Sequence, residues 1–105
     1  MRLTSFLQDG QLTIALKGEI DHHCAKTYIS DIIGKIEAYT PQVCVLDFCD
    51  VTFMDSSGIA VVINALRNMK RLDGTLILTG LQAQPRKVFT ASGIDKLVEI
   101  KELTV

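Results

Sequence analysis

Two stretches constrain this chain more than any others: "VCVLDF" at 43–48 and "TLILTG" at 75–80. The first is nearly all apolar and bounded by turn signals, the pattern of a buried strand, and the second is another buried-strand candidate. Between them Ile59, Val62, Ile63, Leu66, Met69 and Leu72 recur every three or four residues, which is the apolar stripe of one helix. Strand, helix and strand in that order imply parallel pairing through a right-handed crossover. "VCVLDF" is therefore expected at the centre of a sheet, covered on both faces, with Asp47 interrupting it near its end.

The flanking sequence extends the alternation. Segments 2–7 and 11–17 are strand-like, and Asp9-Gly10 between them is a two-residue hairpin turn, because glycine tolerates positive φ. Leu12, Ile14 and Leu16 alternate with polar or small residues, as in a half-buried strand. In "GEID", Gly18 ends or bends the strand and Asp21 is placed to cap a helix. Ala25, Tyr28, Ile29, Ile32, Ile33 and Ile36 form the stripe of that helix, which Pro41 bars from continuing. Lys70 and Arg71 suit the last turn of the second helix, with Gly74 as its stop. Residues 83–92 suit a short helix, with Pro85 in its first turn, Val88 and Phe89 inward, and Gly93 as its end. A last strand is expected near 97–100. The order is β-β-α-β-α-β-α-β: an α/β chain, a small mixed sheet flanked by helices, organised as one domain over 1–105.

Composition removes several classes of function. Eleven basic and twelve acidic residues leave a net charge of −1, so no basic excess exists to neutralise nucleic-acid phosphates. The longest apolar runs are too short to insert in a bilayer, and "MRLTSFLQDGQL" lacks the apolar core of a secretory signal. Three cysteines, an odd number with two in or beside an apolar strand, read as reduced thiols of a cytoplasmic protein. The triplet His22-His23-Cys24 is not read as a metal site, since adjacent residues diverge on a helix and no second ligand pair has metal-like spacing. The seven glycines are scattered, so no phosphate-cradling loop is present and no cofactor is expected.

The remaining feature is "FMDSSGI" at 53–59, where an apolar strand gives way to a helix through a carboxylate, two hydroxyls and a glycine. The residues admit three readings. A catalytic serine needs a base and an oxyanion site, but the G-x-S-x-G elbow is absent and the two histidines, His22 and His23, lie at the start of the first helix. Enzymatic activity is not expected. A helix cap suits Asp55 and Ser56. A hydroxyl at an exposed helix N-terminus is also open to modification. A phosphate there would add about −1.5 to −2 charge at neutral pH, which the helix dipole tolerates, so binding rather than folding would change.

Taken together, "GEID", "VCVLDFCDVTFMDSSGI" and the "ASGIDKLVEI" ending make the chain resemble the STAS family, the fold of anti-sigma factor antagonists, over nearly its whole length. That resemblance implies a non-enzymatic, stand-alone interaction module, an anti-anti-sigma factor. Its unphosphorylated form would bind a serine-kinase anti-sigma factor of the histidine-kinase-like ATPase fold and so release a sigma factor. Phosphorylation at the second serine of D-S-S-G, Ser57 here, would end binding, and a PP2C-type phosphatase would restore it. Asp21, Asp55, Ser56, Ser57, Gly58 and Ile59 would lie on or near the partner surface. The family also includes constitutive scaffold subunits of signalling or lipid-transport complexes, and phosphoswitches acting outside sigma control.

Overall fold

The computed structural model describes residues 3–102. The strands are β1 (Leu3–Gln8), β2 (Gln11–Ile20), β3 (Val43–Met54), β4 (Thr75–Thr79) and β5 (Glu99–Lys101). The helices are α1 (Ala25–Tyr39), α2 (Ser57–Arg71) and α3 (Ala83–Ser92), followed by a single 3-10 turn at Ile94–Lys96. The order matches the alternation expected from sequence. Residue 2 of the first expected strand lies outside the described residues.

The five strands form one sheet in the order β1-β2-β3-β4-β5. β1 and β2 are an antiparallel hairpin; every later pair is parallel. The hairpin closes at Asp9 and Gly10, both left-handed at φ 52° and 79°, the backbone that a two-residue turn of this twist requires.

One face of the sheet carries the core. Leu12 and Ile14 of β2 lie in register with Cys44 and Leu46 of β3 and with Leu76 and Leu78 of β4, Leu16 pairs with Leu3 of β1, and all are buried. Tyr28, Ile32 and Ile36 of α1, Val61, Val62, Ala65 and Met69 of α2, and Phe89 of α3 close over that face. Phe89 meets Phe48 edge-to-face, with ring centroids 5.5 Å apart. The alternate row is more open: Thr13 and Val45 are half-buried and Phe6 at its end is exposed. β3 is thus not covered on both faces. The strand order explains this, because it runs in one direction without the reversal that places helices on both sides of a parallel sheet.

Several boundaries differ from the sequence expectations. β2 runs on to Ile20, and Gly18 bends it, within register shifts between Ala15 and Glu19. β3 continues well past Asp47 to Met54. The buried face of α2 is wider than its apolar stripe. It takes in Gly58, Val61, Ala65 and Asn68, while Ile59, Ile63 and Leu66 are half-buried, since α2 touches α1, α3 and the sheet at once. Asn68 is satisfied there by the Asn64 carbonyl and the Arg71 guanidinium. The left-handed residue after α2 is Asp73, not Gly74. Gly74 is needed for space instead, as a Cβ on it would stand 2.9 Å from the Gln42 carbonyl oxygen. The last strand starts later than expected, because residues 94–96 form the 3-10 turn.

Candidate functional site

The C-terminal ends of β2 and β3 lie side by side, with Ile20 paired to Met54. Asp21 and Asp55 are the next residues on each strand, and the Asp55 N–H donates to the Ile20 carbonyl at 3.1 Å. Two segments 34 residues apart in sequence are thereby brought to one edge: "GEID" with the turn into α1, and "DSSG" with the start of α2.

Each aspartate closes the turn that follows it. Asp21 accepts from the N–H groups of His23 (2.9 Å) and Cys24 (3.1 Å), and its carbonyl accepts from Ala25 (3.0 Å). The Cys24 bonds hold the Asp21 carboxyl below the ordinary carboxylate range, helped by the N–H of His23. The regular helix starts only at Ala25, so Asp21 caps the turn leading into α1 rather than its first helical residue. Asp55 Oδ1 accepts from the Ser57 N–H at 2.7 Å and serves an orphan donor of the first turn of α2. Ser56 occupies the N-cap position without a side-chain cap bond, so the capping expected of both Asp55 and Ser56 falls to Asp55 alone.

The two serines differ in setting. Ser56 is exposed, while Ser57 is half-buried at the first position of α2. The Ser57 hydroxyl is hydrogen-bonded to no group among the described residues. Gly58 is buried: a Cβ on it would lie 2.6 Å from Met54 Sδ. Its contribution is therefore to let α2 start directly over the end of β3, with little surface of its own to offer. Ile59 is half-buried and packs against the core.

One support of this edge is not evident from sequence. β4 ends at Thr79, opposite Asp47, and leaves the last seven residues of β3 without a strand on that side. Side-chain amides take the place of the missing strand. Gln82 Nε2 donates to the Cys49 carbonyl at 2.6 Å. Gln84, on the first turn of α3, accepts from the Met54 N–H at 2.8 Å and donates to the Met54 carbonyl at 2.9 Å. Met54 is thus clamped just before the D-S-S-G turn.

Between the first turns of α1 and α2 runs an open groove of about 480 Å³. Its polar lining is His22, His23, Lys26 and Ser57, over an apolar floor that includes Ile29 and Ala60. The two imidazoles contact each other edge-to-face at 5.6 Å. The sequence gives no reason to pair them with Ser57, 34 and 35 residues away; the fold does. Neither imidazole is hydrogen-bonded to Ser57 or to a carboxylate among the described residues. No group of three His, Cys, Asp or Glu residues among the described residues is placed to hold a metal ion, and no helix is long and apolar enough to cross a membrane. The three cysteines are unpaired.

Comparison with known proteins places this geometry. The STAS domain family model matches residues 7–104. An anti-sigma F factor antagonist from Lysinibacillus sphaericus is 32% identical over 83 residues, covering 79% of this chain and 71% of its own. An anti-sigma-B factor antagonist from Listeria monocytogenes is 26% identical over 92 residues, covering 88% and 80%. The solved structure of the anti-sigma factor antagonist SpoIIAA in its unphosphorylated form matches with a TM-score of 0.74 at 25% identity, over 97% of this chain and 89% of that one. The Bacillus cell fate determinant SpoIIAA in its phosphorylated form matches with a TM-score of 0.75 at 27% identity, over 97% and 91%.

Proposed function

The chain belongs to the STAS domain family, and from that premise we propose that it is an anti-sigma factor antagonist whose binding is switched off by phosphorylation of Ser57. The unmodified chain binds a serine-kinase anti-sigma factor of the histidine-kinase-like ATPase fold, and a sigma factor is thereby released. The kinase then moves the γ-phosphoryl group of ATP to Ser57. The Oγ–P bond forms as the P–O bond to ADP breaks, and the hydroxyl proton passes to the kinase's base. A PP2C-type phosphatase returns the chain to its binding form.

The observation that carries this reading is the setting of Ser57. Its hydroxyl engages no other group among the described residues, and it stands beside the open groove at a helix start already closed by Asp55. A phosphate on Oγ breaks no hydrogen bond of the fold and adds charge where the helix dipole is favourable. The two SpoIIAA states match this chain almost equally, which is what a change of surface rather than of fold would produce. Asp21, Asp55, Ser56 and Ile59 then frame the partner surface, with Gly58 beneath it.

Incubation with the cognate kinase and ATP, read by mass spectrometry, is expected to place one phosphate on Ser57 and none on Ser57→Ala. By calorimetry, Ser57→Asp should bind the kinase at least about tenfold more weakly than wild type, a loss of about 1.4 kcal/mol. Phosphate incorporated equally by Ser57→Ala would overturn the site assignment.

A further inference from the structure

A switch that works only by repelling its partner needs no cation near the phosphate, yet the groove beside Ser57 is lined by Lys26, together with the imidazoles of His22 and His23. Resting on the reading of Ser57 as the modified residue, we propose that this groove receives the Ser57 phosphate within the same chain, with Lys26 as its fixed cation and His22 and His23 as flanking N–H donors. Modification then fills the groove and cancels its positive charge, so the partner loses a basic cleft into which to dock.

The groove's donors are available for this. Lys26 forms no ion pair among the described residues, and neither imidazole donates to or accepts from another side chain there. Two carboxylates stand at the same edge and oppose a phosphate, Asp21 at the entry to α1 and Asp55 at the entry to α2. Both are committed to backbone N–H groups: Asp21 to His23 and Cys24, Asp55 to Ser57. The positive end of the α2 dipole and the Lys26 ammonium in the groove lining are then the positive groups that favour an added phosphate. The volume, about 480 Å³, is ample for a phosphate with retained water. Ser57 is half-buried and is itself part of the lining of the groove that the phosphate would enter.

The test uses full-length protein carrying phosphoserine at 57, installed during translation so that no kinase is needed. Its phosphorus NMR signal is followed against pH in wild type, in Lys26→Gln and in the His22→Asn/His23→Asn double variant. The helix start lowers the second ionisation of the phosphate in all three, so the groove's share is the difference between them. That ionisation, near pH 6 for a free phosphoserine, should lie about half a unit to one unit lower in wild type than in Lys26→Gln, the effect of one cation across a solvated contact. A readout that needs no variant accompanies it: the ring-proton resonances of His22 and His23 should move on phosphorylation. Equal phosphate midpoints in all three proteins, or unmoved imidazole signals, would overturn the proposal. If the phosphate shows the expected dependence but phosphoserine protein still binds the kinase as tightly as unmodified protein, the cradle stands and the binding switch falls.

Discussion

Replacing Gly58 with alanine sets two known effects against each other. At an ordinary helical position Gly→Ala stabilises by about 0.5–1 kcal/mol, because alanine has less backbone freedom to lose. Gly58 is not in ordinary surroundings. A Cβ there would stand 2.6 Å from Met54 Sδ, 3.0 Å from its Cε and 3.3 Å from its Cγ. Met54 is fully buried, and its backbone is fixed on one side by Gln84 and on the other by pairing with Ile20. Its side chain must therefore leave its rotamer or push the start of α2 outward. Overpacking of this kind costs about 1–3 kcal/mol, at or above the propensity gain. Gly58→Ala should lose a net ~0–2.5 kcal/mol, seen as a lower urea midpoint with an unchanged denaturant slope. A double-mutant cycle identifies the cause. Met54→Ala alone costs about 2–5 kcal/mol as a cavity, but in the Gly58→Ala background part of that cost is offset by relief of the clash. The coupling energy should be about 1 kcal/mol or more. A Gly58→Ala protein more stable than wild type, or a cycle additive within about 0.3 kcal/mol, would refute the close-approach reasoning.

Two further outcomes follow from the same geometry. Gln84→Ala removes both hydrogen bonds to Met54 and leaves a part-buried backbone N–H and carbonyl to find water, so it should lower stability by about 1–3 kcal/mol. Amide exchange at Met54 should accelerate more than exchange in β1, and equal acceleration at both sites would count against a local clamp. Burial pushes the Cys44 thiol from its usual 9.0 up to about 12. The folded state therefore keeps a proton that the unfolded state releases, and this contribution to stability is full below pH 9 and is lost as pH rises toward 12. In native protein at pH 8 a thiol reagent should reach Cys24 and Cys49 first, with Cys44 reacting only on unfolding; three thiols of equal reactivity would contradict its burial.

Much of the fold was legible because the signals were local. The hairpin at Asp9-Gly10, the stripe from Ala25 to Ile36 and the order of elements each rest on spacing or turn chemistry within a few residues. What sequence did not disclose depends on the strand order. An apolar run such as "VCVLDF" looks the same whether helices cover one face or two; only the absence of a reversal in the sheet decides it. The reach of β3 to Met54 depends on Gln82 and Gln84, residues with no helical or strand signature, acting as a substitute strand from 30 or more positions away. The D-S-S-G turn announces itself, but its neighbours in the groove do not. His22 and His23 invite a metal or a relay when read locally, and only the pairing of Ile20 with Met54 sets them beside Ser57.

That pairing also bears on why a modification at this turn should be read by a partner without unfolding the chain. The D-S-S-G turn is held from beneath by three contacts that do not involve the Ser57 hydroxyl. The Asp55 N–H is bound to Ile20, the Met54 backbone is clamped by Gln84, and Gly58 lies against the Met54 side chain. Ser57 itself is tied to Asp55 through its backbone N–H. A phosphate on Oγ leaves all four intact and sets the repulsion of Asp21 and Asp55 against the dipole of α2 and the ammonium of Lys26. The balance of these is small against the burial that anchors α2 through Val61, Val62, Ala65 and Met69. The change in free energy is therefore confined to the exposed edge, where a second protein would have to desolvate the new charge in order to bind.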